Sequence, residues 1–99
     1  MQGKEYTFKS KVWEWAGPSA WHFVTVPENE SKNIRVLFGE HKRGFGSLKV
    51  QVVIGSSTWK TSIFPEKKGT YLLPIKAEVR KKEKISNGSI VNLHVTILL

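Results

Sequence analysis

Lys76, Arg80 and Lys84 recur at intervals of four residues, the spacing that stacks side chains in one row along a helix. Like charges so placed oppose helix formation by about 0.2–0.5 kcal/mol per pair, and a Glu78–Lys82 pair offsets only part of that. Such a row has a use if it faces an anion. Arg80 brings a planar fork of donors suited to phosphate or carboxylate, Lys76 a point charge, and Arg43 is a third candidate from a glycine-punctuated stretch. A second constellation is aromatic. Trp13 and Trp15 alternate with Lys9 and Lys11, so a strand would set all four on one face, the mixture that builds stacking platforms for bases or sugars. Each has a plainer reading: a solvated row of charges, and two rings covering an open barrel end beneath lysine stems.

Other chemistry is thinly provided for. His22, His41 and His94 fall on separate segments with no carboxylate at ligand spacing, so no metal site is assigned. The chain has no cysteine, which removes disulfides, thiolate ligands and a thiol nucleophile. It has no aspartate either, and no glutamate stands where it would orient a Ser-His pair. No catalytic residue and no cofactor are assigned. The run Arg43-Gly44-Phe45-Gly46 reproduces the opening of an RNA-recognition signature, but Ser47 and Val50 stand where that signature needs aromatics. Its mechanical reading is that Gly44 and Gly46 allow positive φ between two elements.

The elements that would position these residues are mostly strands. Residues 6–15 alternate, with Tyr6, Phe8, Ser10 and Val12 on one side; Gly17-Pro18-Ser19 is a turn, and residues 20–26 make a second strand. Pro27 and the acids Glu28 and Glu30 open a helix over 28–38, which Gly39 can end. Residues 48–54 and 58–64, joined through Gly55-Ser56-Ser57, form the clearest hairpin. A short strand at 70–73 follows the turn at 65–69, and Pro74 opens a second helix to residue 84 that buries Ile75 and Val79. After Asn87-Gly88 the last strand, 89–99, puts Val91, Leu93, Val95, Ile97 and Leu99 on one face. Trp21 and Trp59 are expected in the core. The pattern predicts a mainly β fold, a small, partly closed β-barrel of about six strands with two short helices, forming a single domain over residues 1–99. The alternative is an α+β ferredoxin-like arrangement.

Composition agrees with one soluble domain: 99 residues, 39% hydrophobic, 24% charged. No apolar run reaches the length of a membrane span, and the charged opening residues lack the apolar core of a signal peptide, so the expected location is the cytoplasm. Sixteen basic residues against eight acidic give +8, a surplus that attracts polyanions.

Several runs carry a resemblance. Trp21-His22-Phe23-Val24 before Pro27, Arg43-Gly44-Phe45-Gly46, Trp59 with Thr61-Ser62-Ile63-Phe64-Pro65, and above all Gly69-Thr70-Tyr71-Leu72-Leu73-Pro74-Ile75-Lys76 followed by Val79-Arg80-Lys81 are similar to a small bacterial family. That family is the domain of unknown function numbered nineteen hundred and five, and the resemblance spans residues 8–95. It implies a compact β-barrel, sometimes fused to other domains, with no agreed activity. Its members usually carry Gly-Asp after the second helix, where this chain has Gly88-Ser89.

The function these observations favour is a small basic binding module for an anionic ligand or nucleic acid, with no membrane partner. A small enzyme acting on a phosphorylated or carboxylated metabolite is one alternative, and a structural or protein-interaction domain is another. A pocket lined by Arg80, His94 and Trp59 would favour the enzyme, a flat basic face nucleic acid, and an exposed apolar edge a protein partner.

Overall fold

The computed structural model describes residues 2–17, 20–39 and 46–98. These form β1 (Gln2–Glu14), β2 (His22–Val26), α1 (Glu28–Phe38), β3 (Leu48–Ile54), β4 (Ser57–Pro65), β5 (Tyr71–Pro74), α2 (Ala77–Glu83) and β6 (Ile90–Leu98). The strands close into an antiparallel barrel in the order β1-β2-β5-β4-β3-β6, with β6 pairing back on β1. Closure is complete, which removes the sheet edges that a partly closed barrel or a ferredoxin-like sheet would leave.

Alternation decides what lies inside. Val12, Val24 and Leu73 face one another across three strands, and Val26 lies opposite Tyr71. On the other side Tyr6 and Val52 flank Val95, while Phe8 meets Leu93. All of these side chains are buried. β1 bridges the two halves, pairing with β6 through Lys11 and with β2 from Val12 onward. Where it changes partner, Ser10 Oγ donates to the Thr25 carbonyl at 2.9 Å, supplying a hydrogen bond at the point where the ladder is handed over. β1 also begins earlier than its hydrophobic alternation shows, because Gln2 and Glu5 pair with Leu98 and Thr96 across an irregularity in the register.

The two helices lie at opposite ends of the barrel, α1 beside Val26 and Tyr71, α2 beyond Pro74 and beside Ser57. α1 follows Pro27, which stands just before the first turn, and its acids Glu28 and Glu30 sit at the positive end of the helix dipole. It turns Ile34 and Phe38 inward. Its Ser31 is fully buried: the hydroxyl donates to the Val26 carbonyl at 2.9 Å and accepts the Tyr71 N–H at 3.2 Å. Asn33 Oδ1 accepts from the Tyr6 hydroxyl, and Arg35 Nη1 donates to the Gly69 carbonyl. The Tyr6 and Tyr71 hydroxyls both titrate above the usual tyrosine value, chiefly because burial disfavours the phenolate; nearby Arg35 opposes the shift at Tyr71.

α2 departs from its sequence expectation. Pro74 does not open it. The proline ends β5 opposite Phe23, the Ile75 N–H extends the ladder to the His22 carbonyl at 2.9 Å, and Lys76 is still extended at ψ 156°. Proline lacks an N–H and a strand end tolerates it as readily as a helix start does. The helix ends at Lys84, which takes a left-handed conformation at φ 56° while Ile85 N–H reaches the Arg80 carbonyl. Lys76 and Lys84 therefore flank a seven-residue helix instead of forming a row along it with Arg80.

Trp21 is a second correction. It was expected in the core with Trp59, yet it is 53% exposed, whereas Trp59 is 7% exposed opposite Val52. The β2 register places His22, Val24 and Val26 inside, so Trp21, Phe23 and Thr25 must point out. A six-stranded barrel accommodates valines at those positions more readily than indoles. The burial difference has a measurable consequence. Trp59→Ala should lower unfolding free energy by about 3–5 kcal/mol and Trp21→Ala by about 1 kcal/mol or less, read from urea denaturation. Equal losses would contradict this division of the tryptophans.

Candidate functional site

The barrel end beneath α2 holds an indentation. β2, β4 and β5 meet there, and Trp59 forms part of its wall as the first large inward side chain of β4. The chain entering β2 is fixed by a hydrogen bond from the Trp15 N–H to the Trp21 carbonyl at 2.8 Å. The cavity is about 390 Å³, lined by Trp21, His22, Trp59, Lys60, Lys76 and Arg80 together with Ala20, Thr61, Pro74, Ile75 and Ala77. Its charged lining is all cationic.

Arg80 is half-buried and fixed at one edge: Nε donates to the Ile75 carbonyl at 3.2 Å. That bond uses one of the five guanidinium donors and leaves the two terminal nitrogens without a protein partner among the described residues. Lys60 and Lys76 are exposed, and no described carboxylate pairs with either of them or with Arg80. His22 is buried. Its Nδ1 lies 2.9 Å from the Ala20 carbonyl, which can only accept, so Nδ1 carries the hydrogen. Its Nε2 is 3.8 Å from Glu14 Oε1, a carboxylate that is not part of the cavity lining.

On the far flank α2 is tied to the β3–β4 hairpin. Glu83 accepts hydrogen bonds from Ser57 Oγ at 2.7 Å and Ser56 Oγ at 3.2 Å. Gly55 makes that approach possible: it adopts φ +56°, and a Cβ there would come within 2.2 Å of the Glu83 carboxylate. The Ser57 bond, helped by Ser56 and Lys82 against some desolvation, holds the Glu83 carboxyl below its ordinary titration range.

A continuous aromatic surface lies next to the cavity on the outside of β1, β2 and β5. Trp13 pairs with Phe23 in register, their rings 5.1 Å apart and tilted by 32°. Trp21 lies nearly parallel to Phe23 at 6.0 Å and 13°. Together with Trp15 and Leu72 they line an open cleft of about 450 Å³. Trp13 Nε1 is engaged, donating to Thr25 Oγ1 at 3.1 Å. Trp21 belongs to both the cationic cavity and this cleft.

The residues singled out from sequence are thus partly assembled. Lys76 and Arg80 share the cavity, and Trp13 and Trp15 share the cleft, with Lys9 and Lys11 exposed farther along β1. Arg43, with His41, Gly44 and Phe45, lies outside the described residues, while Gly46 does adopt positive φ at 78°. Lys84 is not in the lining. His94 does not reach the cavity; it stands on β6 within 3.6 Å of Glu5 and 3.3 Å of Thr7 Oγ1. Sequence reasoning missed Lys60, His22 and Trp21 as site residues. Among the described residues no three His, Cys, Asp or Glu side chains converge as a metal site would require, and no helix is long and apolar enough to cross a membrane. Ser89 closes the turn before β6: Oγ accepts the Ser86 N–H at 3.0 Å and its carbonyl accepts the Val12 N–H at 2.8 Å.

The fold and cavity together define a closed, helix-capped six-stranded β-barrel with a cationic, tryptophan-walled opening at one end. The family model described as domain of unknown function (DUF1905) matches residues 8–95, and the chain belongs to that family. No curated protein matches the chain.

The tether behind the cavity gives an acid-side signature. A carboxylate whose pKa is lowered by folding stabilises the folded state at neutral pH and loses that contribution as pH falls through its unfolded value and then its folded one. Glu83→Gln should therefore flatten the acid limb. Wild-type Tm should fall more than the variant's between about pH 6 and pH 3, and parallel curves would mean that the Ser57–Glu83 bond does not hold α2 in solution.

Proposed function

We propose that this protein is a binding module for an anionic ligand, taken up in the cavity beneath α2. The observation that carries the reading is the meeting of Arg80, Lys60 and Lys76 around a tryptophan-walled cavity with no carboxylate in its lining. Cations without ion-pair partners among the described residues, gathered in a concave site, attract anions more strongly than the same charges scattered over a surface. Arg80 is the anchor. Its Nε is already fixed on Ile75, so the free terminal nitrogens are pre-aimed and little side-chain entropy remains to be lost on binding. The +8 net charge adds long-range attraction of the same sign. The same reading places the module in the cytoplasm, in keeping with a chain free of cysteine.

A second reading, an enzyme acting on a phosphorylated or carboxylated metabolite, is favoured by one feature. The His22 ring forms part of the cavity lining and its Nε2, the nitrogen without a hydrogen, lies 3.8 Å from Glu14, an arrangement that could accept a proton beside a bound anion. Turnover of such a metabolite, abolished by His22→Gln while anion binding persists, would establish that reading.

The binding reading is tested by thermal unfolding against inorganic phosphate and sulfate. Saturable stabilisation is expected, reaching about 2.7 kcal/mol at a hundredfold excess over Kd. It should be lost in Arg80→Ala and weakened in Lys60→Glu, which alters an exposed side chain. Superimposable curves for wild type and both variants would leave the cavity as ordinary surface.

A further inference from the structure

We propose that the ligand of this cavity is a nucleoside phosphate, its phosphate held by Arg80 and Lys76 and its base stacked on the Trp21–Phe23 face. The inference rests on the anion-binding reading above and adds to it the chemistry of the ligand's other half. Trp21 is the hinge of the argument. It lines the cationic cavity on one side and the aromatic cleft on the other, so the two sites are separated by one indole. In a nucleotide the phosphate and the base are separated by one sugar. A ligand with its charge in the cavity can therefore lay a flat ring over Trp21 without crossing open solvent.

The cleft suits a base better than a sugar or another anion. Trp21 is 53% exposed and stacks on Phe23, the rings within 13° of parallel at 6.0 Å, so a flat indole backed by a second ring is left open to solvent. Stacking on such faces is insensitive to which base is present, because every base has a π-face. A sugar would need polar side chains around the rings for its hydroxyls. Little of that is offered among the described residues: the cleft is lined by Trp13, Trp15, Trp21, Phe23 and Leu72, whose only polar side-chain groups are indole N–H donors, that of Trp13 already committed to Thr25. Carbohydrate hydroxyls there would find few protein partners, leaving ring contact alone to select a sugar. An apolar peptide would fill the cleft but leave the adjoining cations without counter-charge. Lys9 and Lys11, exposed on the same outer face of β1 as Trp13, extend positive charge past the rings on the far side. A free nucleotide and a nucleotide within a single strand offer the same chemistry to this surface.

The experiment is a tryptophan-fluorescence titration with inorganic phosphate, adenosine, adenosine monophosphate and a short oligothymidylate. Adenosine monophosphate should bind about ten- to a hundredfold more tightly than phosphate, the contribution of one stacked base. Trp21→Ala, at an exposed position that leaves the fold intact, should erase that gap, with phosphate affinity measured for the same variant by thermal shift as its baseline. Arg80→Ala should remove both. If oligothymidylate binds more tightly than the mononucleotide, with affinity falling steeply as salt rises, single strands are the source; equal affinity points to free nucleotides. Adenosine monophosphate binding no better than phosphate, or a gap that survives Trp21→Ala, overturns the nucleotide inference and leaves the anion site standing. If neither phosphate nor adenosine monophosphate binds, both readings fall.

Discussion

The pairing of β6 with β1 is the constraint on which the rest depends. Once Tyr6, Phe8 and Ser10 lie opposite Val95, Leu93 and Val91, the inward face of every other strand follows by alternation around the ring. The interior is filled by β-branched and leucine side chains, with Val24, Val26, Val50, Val52, Val95 and Ile97 wholly excluded from water. A slip of one residue anywhere would turn these out and bring lysines in. Closure also fixes what must be outside. Phe23 in β2 and Trp21 just before it are apolar enough to be buried, but they alternate with the inward His22 and Val24 and have nowhere to go but the surface. The aromatic cleft is a by-product of a valine register, and it leaves several large rings clustered at the surface, where an apolar patch marks an interaction site.

The ends of the barrel are finished differently, and the difference places the site. α1 has eleven residues and is stitched to the barrel by Ser31, by Asn33 on Tyr6 and by Arg35 on Gly69. α2 has seven residues and buries one side chain, Val79. Its position depends on its flanks: Ile75 bonded to His22 on one side, and Glu83 bonded to the Ser56–Ser57 turn on the other. A helix this short does not cover the mouth, and Trp59, Lys60 and Arg80 surround the space that it leaves.

Local patterning was legible wherever one segment's own residues settle its fate. The helix Glu28–Phe38 and the strand Leu48–Ile54 have the bounds that their caps and alternation predict, and the hairpin is where its glycine turn puts it, although Ser57, expected in the turn, already pairs with Ile54. The family resemblance likewise covers the residues that the family model matches. Pro74 misled because the ring satisfies a strand end and a helix start equally, and only the His22 carbonyl across β2 decides between them. Trp21 misled because hydrophobicity alone does not report register. Lys60 and His22 carry no mutual spacing at all. They meet because β5 lies between β2 and β4, a neighbourhood created by the closed ring and absent from any window of sequence.

The positive charges differ in what their positions let them do. Much of it is spread over exposed strand faces, where Lys9, Lys11 and Lys49 are solvated and screened within about a Debye length. Charge of that kind confers solubility and a general pull on polyanions. Arg80 is different in kind, because its backbone contact to Ile75 restricts the guanidinium and its half-burial lowers the dielectric around it. One immobilised, partly desolvated cation beside two mobile ones is an arrangement that discriminates: the arginine sets where an anion sits, and the lysines add strength that salt can remove. Adjacent to that fixed point, the Trp21 ring offers the only large exposed flat surface in the cavity lining. The barrel thereby presents charge and ring at a fixed separation, which is the geometry by which a rigid scaffold selects a ligand having both.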